Sequence, residues 1–157
     1  MNFDRMRSQL LRSFNDMRIQ ITCPVFPTED DEKIEAAFSN LFHHVGTKHN
    51  HLEQCDHISL ILTEKNELSV LRQYIHELRI IDVVRRRLES NLNSTTTSIN
   101  LDKQAASLGK VRLLDDTDDT PSLGSIKVVI DFMDEMELES FMSWFVPLTK
   151  DGKIIPN

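Results

Sequence analysis

The chain has 157 residues, with 18 Lys and Arg against 25 Asp and Glu and a formal charge of −7. That length is about one domain, enough to bury a self-sufficient core. A 39% hydrophobic content, with two cysteines and no apolar run near the roughly 20 residues of a bilayer span, excludes fibrous, membrane-spanning and disulfide-framework classes, and the acidity argues against a protein that coats nucleic acid by bulk charge.

In chain order, Phe3, Met6, Leu10, Leu11 and Phe14 fall near helical spacing between Arg5, Arg7 and Arg12. They predict a helical extension over 1–15, ahead of a single α+β domain over 16–157. Met17, Ile19, Ile21 and Cys23 alternate with polar residues as a half-buried strand does, and Pro24 and Pro27 are expected to stop it. Thr28 is the expected N-cap of a helix whose carboxylates, Glu29 to Glu35, complement its positive end. Ile34, Ala37, Phe38, Leu41 and Phe42 supply its buried face, and Gly46 its stop.

Residues 43–63 read as a loop, a strand or hairpin arm, and a return to the core. From Asn66 to Leu92 apolar residues step by three or four, which predicts one long helix or two meeting near Arg79–Ile81. A strand over Thr95–Leu101 follows, then a short helix or turn over Lys103–Leu108 closed by Gly109, and a strand at Val111–Leu113. An acidic loop with Asp115, Asp116, Asp118 and Asp119 precedes a strand over Ile126–Phe132 and a helix over Glu135–Phe145 ended by Pro147. This order predicts a single sheet of four to five mostly antiparallel strands with helices packed on one face.

No phosphate-binding glycine loop, nucleophile elbow or zinc-protease helix is present, so neither an enzyme nor a cofactor is expected. Cys55 and His57 lie near His43, His44, His49 and His51, without the paired spacing of structural zinc sites, and exposed loop histidines are the preferred reading. His76, near the helix's apolar side, reads as a packed, hydrogen-bonded residue. Cys23 and Cys55 are too few for a bridged secreted domain, which points to a cytoplasmic setting and leaves one Cys23–Cys55 bridge open.

Charge is unevenly distributed. Between Lys65 and Arg112 lie nine basic residues and five acidic ones, a local +4 that leaves −11 for the rest. Arg72, Arg79 and Arg86 are seven apart and would form a stripe on one continuous helix. Guanidinium donors form a fixed fork that suits phosphate. The competing reading is surface ion pairing, Arg85 with Asp82 or Arg86 with Glu89. The aromatics Phe38, Phe42, Phe132, Phe141 and Phe145 sit at core-like positions, so shape and backbone readout of RNA is preferred over base stacking.

Several segments together resemble a small archaeal family of uncharacterised proteins. They are Cys23-Pro24-Val25-Phe26-Pro27-Thr28-Glu29-Asp30, Asn40-Leu41-Phe42, Arg79-Ile80-Ile81-Asp82 with Arg85-Arg86, Leu101-Asp102-Lys103-Gln104-Ala105-Ala106, Leu123-Gly124-Ser125-Ile126 and Pro147-Leu148-Thr149-Lys150-Asp151-Gly152. The resemblance spans about Arg18 to Ile155. It implies a predicted RNA-binding protein with a double-stranded-RNA-binding-like or ribosomal-protein-like α+β fold, similar to the large-subunit protein that contacts 5S ribosomal RNA, and an exosome link. Asp102 departs from the usual family Asn, and Asp134-Glu135 would repel phosphate at the start of the last helix.

The combined expectation is a non-enzymatic RNA-binding accessory of RNA processing, with phosphate contacts from Arg72, Arg79, Arg85, Arg86, Lys103 and Lys110. The alternative is a protein-interaction module or homodimer whose arginines pair with partner carboxylates, the Asp115–Asp119 loop of a second copy being one complement.

Overall fold

A computed structural model describes residues 17–43, 48–51, 56–114, 124–150 and 153–155. The predicted extension over 1–15, Gly46, Cys55 and the acidic loop at 115–119 lie outside them. The period-2 segments form one five-stranded antiparallel sheet. β1 (Met17–Val25) runs between β3 (Asp56–Leu62) and β5 (Ile126–Phe132), with β2 (Lys48–His51) beyond β3 and β4 (Thr96–Leu101) beyond β5. The helices are α1 (Asp31–Phe42), α2 (Ser69–Glu77, entered through a 3₁₀ turn at Lys65–Leu68), α3 (Ile81–Ser90), α4 (Lys103–Ser107) and α5 (Glu135–Phe145). A two-stranded ribbon, β6 (Thr149–Lys150) and β7 (Lys153–Ile154), follows α5 and was not expected from the sequence. The fold is α+β.

Alternation along the strands decides which face is covered. Ile19, Ile21 and Cys23 of β1, Val128 and Ile130 of β5 and Ile99 of β4 are buried in one core with Phe38, Leu41, Leu71, Ile75, Val84, Leu88, Phe141 and Phe145 of the helices. The residues between them in sequence point the other way and are half-buried or exposed. One sheet face is therefore under helices, and among the described residues no element covers the other, which we call the open face.

Several local expectations are corrected. The N-cap of α1 is Asp30, whose carboxylate accepts from the Glu32 amide at 3.0 Å, rather than Thr28. The helix stops at His43, which takes the left-handed conformation with φ 54° before Gly46 is reached. Pro24 does not end β1: it pairs opposite His57 within a strand that continues to Val25. The ladder from β5 already ends at Thr22 and Lys127, so on that side the missing proline N–H interrupts nothing. Val111–Leu113 is not a strand but makes a single bridge, Leu113 to Leu101. Within the stretch read as a loop and one strand, two strands are present, β2 pairing antiparallel with β3.

The outer edge of β4 is occupied. The Asn91 side-chain amide donates to Ser98 O at 2.8 Å, Asn93 and Thr96 exchange main-chain bonds, and the Leu114 amide donates to Asn100 O at 2.9 Å. Such cover removes the free main-chain groups that make an edge strand sticky.

Gly124 precedes β5 at φ +79°, and a Cβ there would stand 2.5 Å from Pro24 Cγ. Gly109, at φ +74°, has only Asn40 Nδ2 at 3.9 Å. Gly124→Ala should therefore cost about 1–3 kcal/mol from clash and strain together, and Gly109→Ala only about 1 kcal/mol from strain, as read from urea midpoints. Equal losses would contradict the tight contact on Pro24.

Candidate nucleic-acid interface

The long helical pattern is two helices, and the break falls on Arg79. The Ile80 amide bonds back to Ile75 O and the Arg79 amide to His76 O, each at 3.2 Å. This is a Schellman ending for α2, with Arg79 at the left-handed position, φ 57°. The same pair of bonds closes α4, where Lys110 and Gly109 bond to Ala105 O and Ala106 O, and there the left-handed residue is glycine. Arg79 holds a conformation that glycine takes at no steric cost. It is exposed, and among the described residues its side chain has no ion pair or hydrogen bond.

The break removes the single stripe expected from Arg72, Arg79 and Arg86, because no continuous helix carries all three. Arg72 and Arg85 instead serve the end of α5. That helix has no basic residue in its last turn, so its final carbonyls need donors from elsewhere. Arg72 Nε donates to Trp144 O at 2.7 Å, Arg85 donates to Val146 O at 2.6 Å, and His76 Nε2 meets Phe145 O at 2.8 Å. The Arg72 guanidinium also lies over the Trp144 ring, 5.2 Å from its centroid. His76 is thus packed and hydrogen-bonded, as its position predicts.

Arg85 pairs with Glu89 at 2.9 Å and Arg86 with Asp82 at 3.4 Å, so the surface pairs form at four-residue spacing with the opposite partners to those expected. Arg86 keeps its side chain 69% exposed.

Lys103 lies in the interior. Its side chain is 2% exposed, and its ammonium donates to Glu29 Oε1 at 2.7 Å and to Pro24 O at 2.8 Å. Glu29 Oε1 also accepts from the Phe26 amide at 3.0 Å. Position 103 is thus a clamp between α4 and the β1–α1 turn, and its charge does not reach solvent. Asp102 caps α4 and pairs with Arg112 at 2.8 Å. Lys110 is exposed.

Cys23 is a free, buried thiol, so the Cys23–Cys55 bridge is not formed. Burial pushes its pKa from 9.0 up to about 12, opposed by the nearby Lys103 charge and assisted by Glu29. Among the described residues no group of three or more His, Cys, Asp or Glu could hold a metal ion, and no helix is long and apolar enough to cross a membrane.

The open sheet face offers a second chemistry, of hydroxyls and amides rather than arginines. In register, one row runs Ser59, Thr22, Lys127, Asn100, and the next runs Ile61, Gln20, Val129, Ser98. Arg18 stands beside Asp131, whose carboxylate accepts from Thr96 Oγ1 at 3.2 Å. At the β4 border a cavity of about 360 Å³ is lined by Asn91, Asn93, Ser94, Thr96, Ser98 and Lys127, among others. The strand alternation that marks these residues as outward-facing was present in the sequence; what was missing was which strands stand side by side.

A family model described as RNA binding matches residues 18–132, from β1 to the end of β5. The chain belongs to this RNA-binding family. Among its relatives, the UPF0201 protein of Sulfurisphaera tokodaii is 33% identical over 138 residues, covering 86% of this chain and 90% of the relative. The UPF0201 protein of Metallosphaera sedula is 30% identical over 139 residues, covering 87% and 92%. In structure, the chain is similar to a UPF0201 protein from Methanococcus jannaschii, with a TM-score of 0.73 at 25% identity over 88% of this chain and 99% of that one. A DUF54 protein from Methanothermobacter thermautotrophicus shares the fold, with a TM-score of 0.61 at 19% identity over 83% of this chain and 99% of that one.

Two outcomes follow from the buried groups. Lys103→Ala strands the Glu29 carboxylate and should cost about 3–5 kcal/mol, whereas Arg86→Ala should stay within about 0.5 kcal/mol, both by chemical denaturation. The Cys23 thiol keeps its proton in the folded state while the unfolded chain loses one above pH 9, so its contribution to stability falls as pH rises from 9 towards 12. In a Cys55→Ala background a thiol reagent at pH 8 should label Cys23 no faster than the chain unfolds. Rapid labelling of the native protein would contradict the burial.

Proposed function

We propose that the protein binds RNA as a non-enzymatic accessory of RNA processing, through phosphate contacts from cations that the fold leaves in solvent. Arg79, Arg86 and Lys110 are those cations among the six predicted positions. Arg72, Arg85 and Lys103 act one step back, holding the framework on which the others stand. Membership of a family described as RNA binding supports the reading.

The observation that carries it to particular residues is Arg79. A long cationic side chain occupies a left-handed helix ending at which glycine is conformationally cheaper, and it has no partner among the described residues. His43 ends α1 in the same conformation, so it is the left-handed position together with the unpartnered, exposed guanidinium that supports a functional role for Arg79. The guanidinium beside the start of α3, with Arg86 five residues into that helix, suits a phosphate oxygen as acceptor.

The test separates stability from binding. Arg79→Gly should leave the urea midpoint unchanged or stabilise the chain by up to about 1 kcal/mol, while RNA affinity at low salt falls about tenfold. Arg79→Glu with Arg86→Glu should remove most of the binding, and wild-type affinity should fall steeply with salt. Salt-insensitive binding, or no binding to structured or single-stranded RNA at low salt, would overturn the reading. A dimer in light scattering that Arg86→Glu dissociates would assign the arginine to a partner protein instead.

A further inference from the structure

We infer that the open face of the sheet is a second RNA-contacting surface, which takes the sugar–phosphate backbone of double-helical RNA and distinguishes it from DNA. The inference rests on the RNA-binding reading above and adds to it a surface of the strands rather than of the helices.

Charge singles this face out. Among the described residues the helices and their caps carry most of the exposed carboxylates, and α5 with its cap bears Asp134, Glu135, Glu137 and Glu139 with no cation among them. On the outward rows of β1, β4 and β5 the only carboxylate is Asp131, already bonded by Thr96. Lys127 stands between Thr22 and Asn100 with no acidic neighbour in its row and, among the described residues, no ion pair. Among the described residues, a polyanion approaching the outward rows of β1, β4 and β5 meets two cations, Arg18 and Lys127, against one carboxylate, Asp131.

Side-chain chemistry sets the ligand. The outward positions of β1, β4 and β5 hold short hydroxyl and amide groups, Thr22, Ser98, Asn100 and Gln20 among them, and no aromatic ring. Without rings there is no stacking platform for bases, so single-stranded recognition is unsupported. Hydroxyls and amides that both donate and accept suit the 2′-hydroxyl, the group by which a protein tells RNA from DNA, and the wide minor groove of A-form RNA displays it. The cavity beside Lys127 extends the same lining past the β4 border.

The experiment compares an RNA duplex with the DNA duplex of the same sequence, by fluorescence anisotropy across a salt series. Wild type should prefer RNA. Lys127→Glu should weaken RNA binding about tenfold or more, and Lys127→Gln should flatten the slope of log affinity on log salt by about one. Thr22→Val with Ser98→Ala should erase the preference for RNA while keeping most of the salt-dependent affinity. Lys127 is exposed and Thr22 and Ser98 are half-buried, so unfolding midpoints check that each variant is native; if Lys127→Glu lowers its midpoint, the Lys127→Gln slope decides. Wild-type affinity, slope and preference in all three variants, together with loss on reversing Arg79 and Arg86, would overturn the inference and leave the RNA-binding reading standing. Equal affinity of wild type for the two duplexes, or a preference for single strands, would overturn the inference as well. Failure of wild type to bind any RNA would remove the reading itself.

Discussion

Three consecutive carbonyls, of Trp144, Phe145 and Val146, leave the end of α5 facing into the protein, and each is met by a side chain from α2 or α3. A helix end buried without donors is costly, and hydrogen bonds from charged groups are worth about 1.5–3 kcal/mol each. These contacts span more than 60 residues and tie α2 and α3 to the end of α5. The aromatic chain Phe132, Phe141, Phe145 and Trp144 lies directly beneath, so the arginines also fix where the last helix rests on β5. Two residues that look like phosphate ligands in the sequence are thereby part of the scaffold.

A second tie organises the other end of the core. Pro24, Glu29, Lys103 and Gly124 belong to three of the segments through which the chain resembles its family, and they meet at one place: Lys103 bridges Pro24 and Glu29, while Gly124 packs against Pro24. Their proximity explains a lysine buried in the interior against Glu29, and a proline tolerated inside a strand. These segments therefore specify the framework of the fold.

Much of the fold was legible. The alternation of Met17 to Cys23, Thr95 to Leu101 and Ile126 to Phe132 marked three strands, because one covered face imposes period two. Gly109 marked the end of α4 because its left-handed position carries the residue that favours it. The end of α2 has the same hydrogen bonds but an arginine, so composition offered no stop and a continuous helix remained open. The roles of Arg72, Arg85 and Lys103 were illegible for a different reason: their acceptors include main-chain carbonyls 61 to 79 residues away, and a carbonyl leaves no trace in residue identity. The outward rows of the sheet were hidden in the same way, since only the pairing of β1 with β5 and β5 with β4 brings Thr22, Lys127 and Asn100 into line.

The covered border of β4 bears on how copies of the protein behave when crowded. Asn91, Asn93 and Leu114 occupy the outward carbonyls of Thr96, Ser98 and Asn100 and the Thr96 amide, so a second molecule finds few acceptors with which to extend the sheet at that border. Many copies gathered along one polyanion would thus sit side by side without a template for cross-strand growth from β4. High local concentration, which drives many exposed sheets towards fibres, is met here by an edge already closed within the chain.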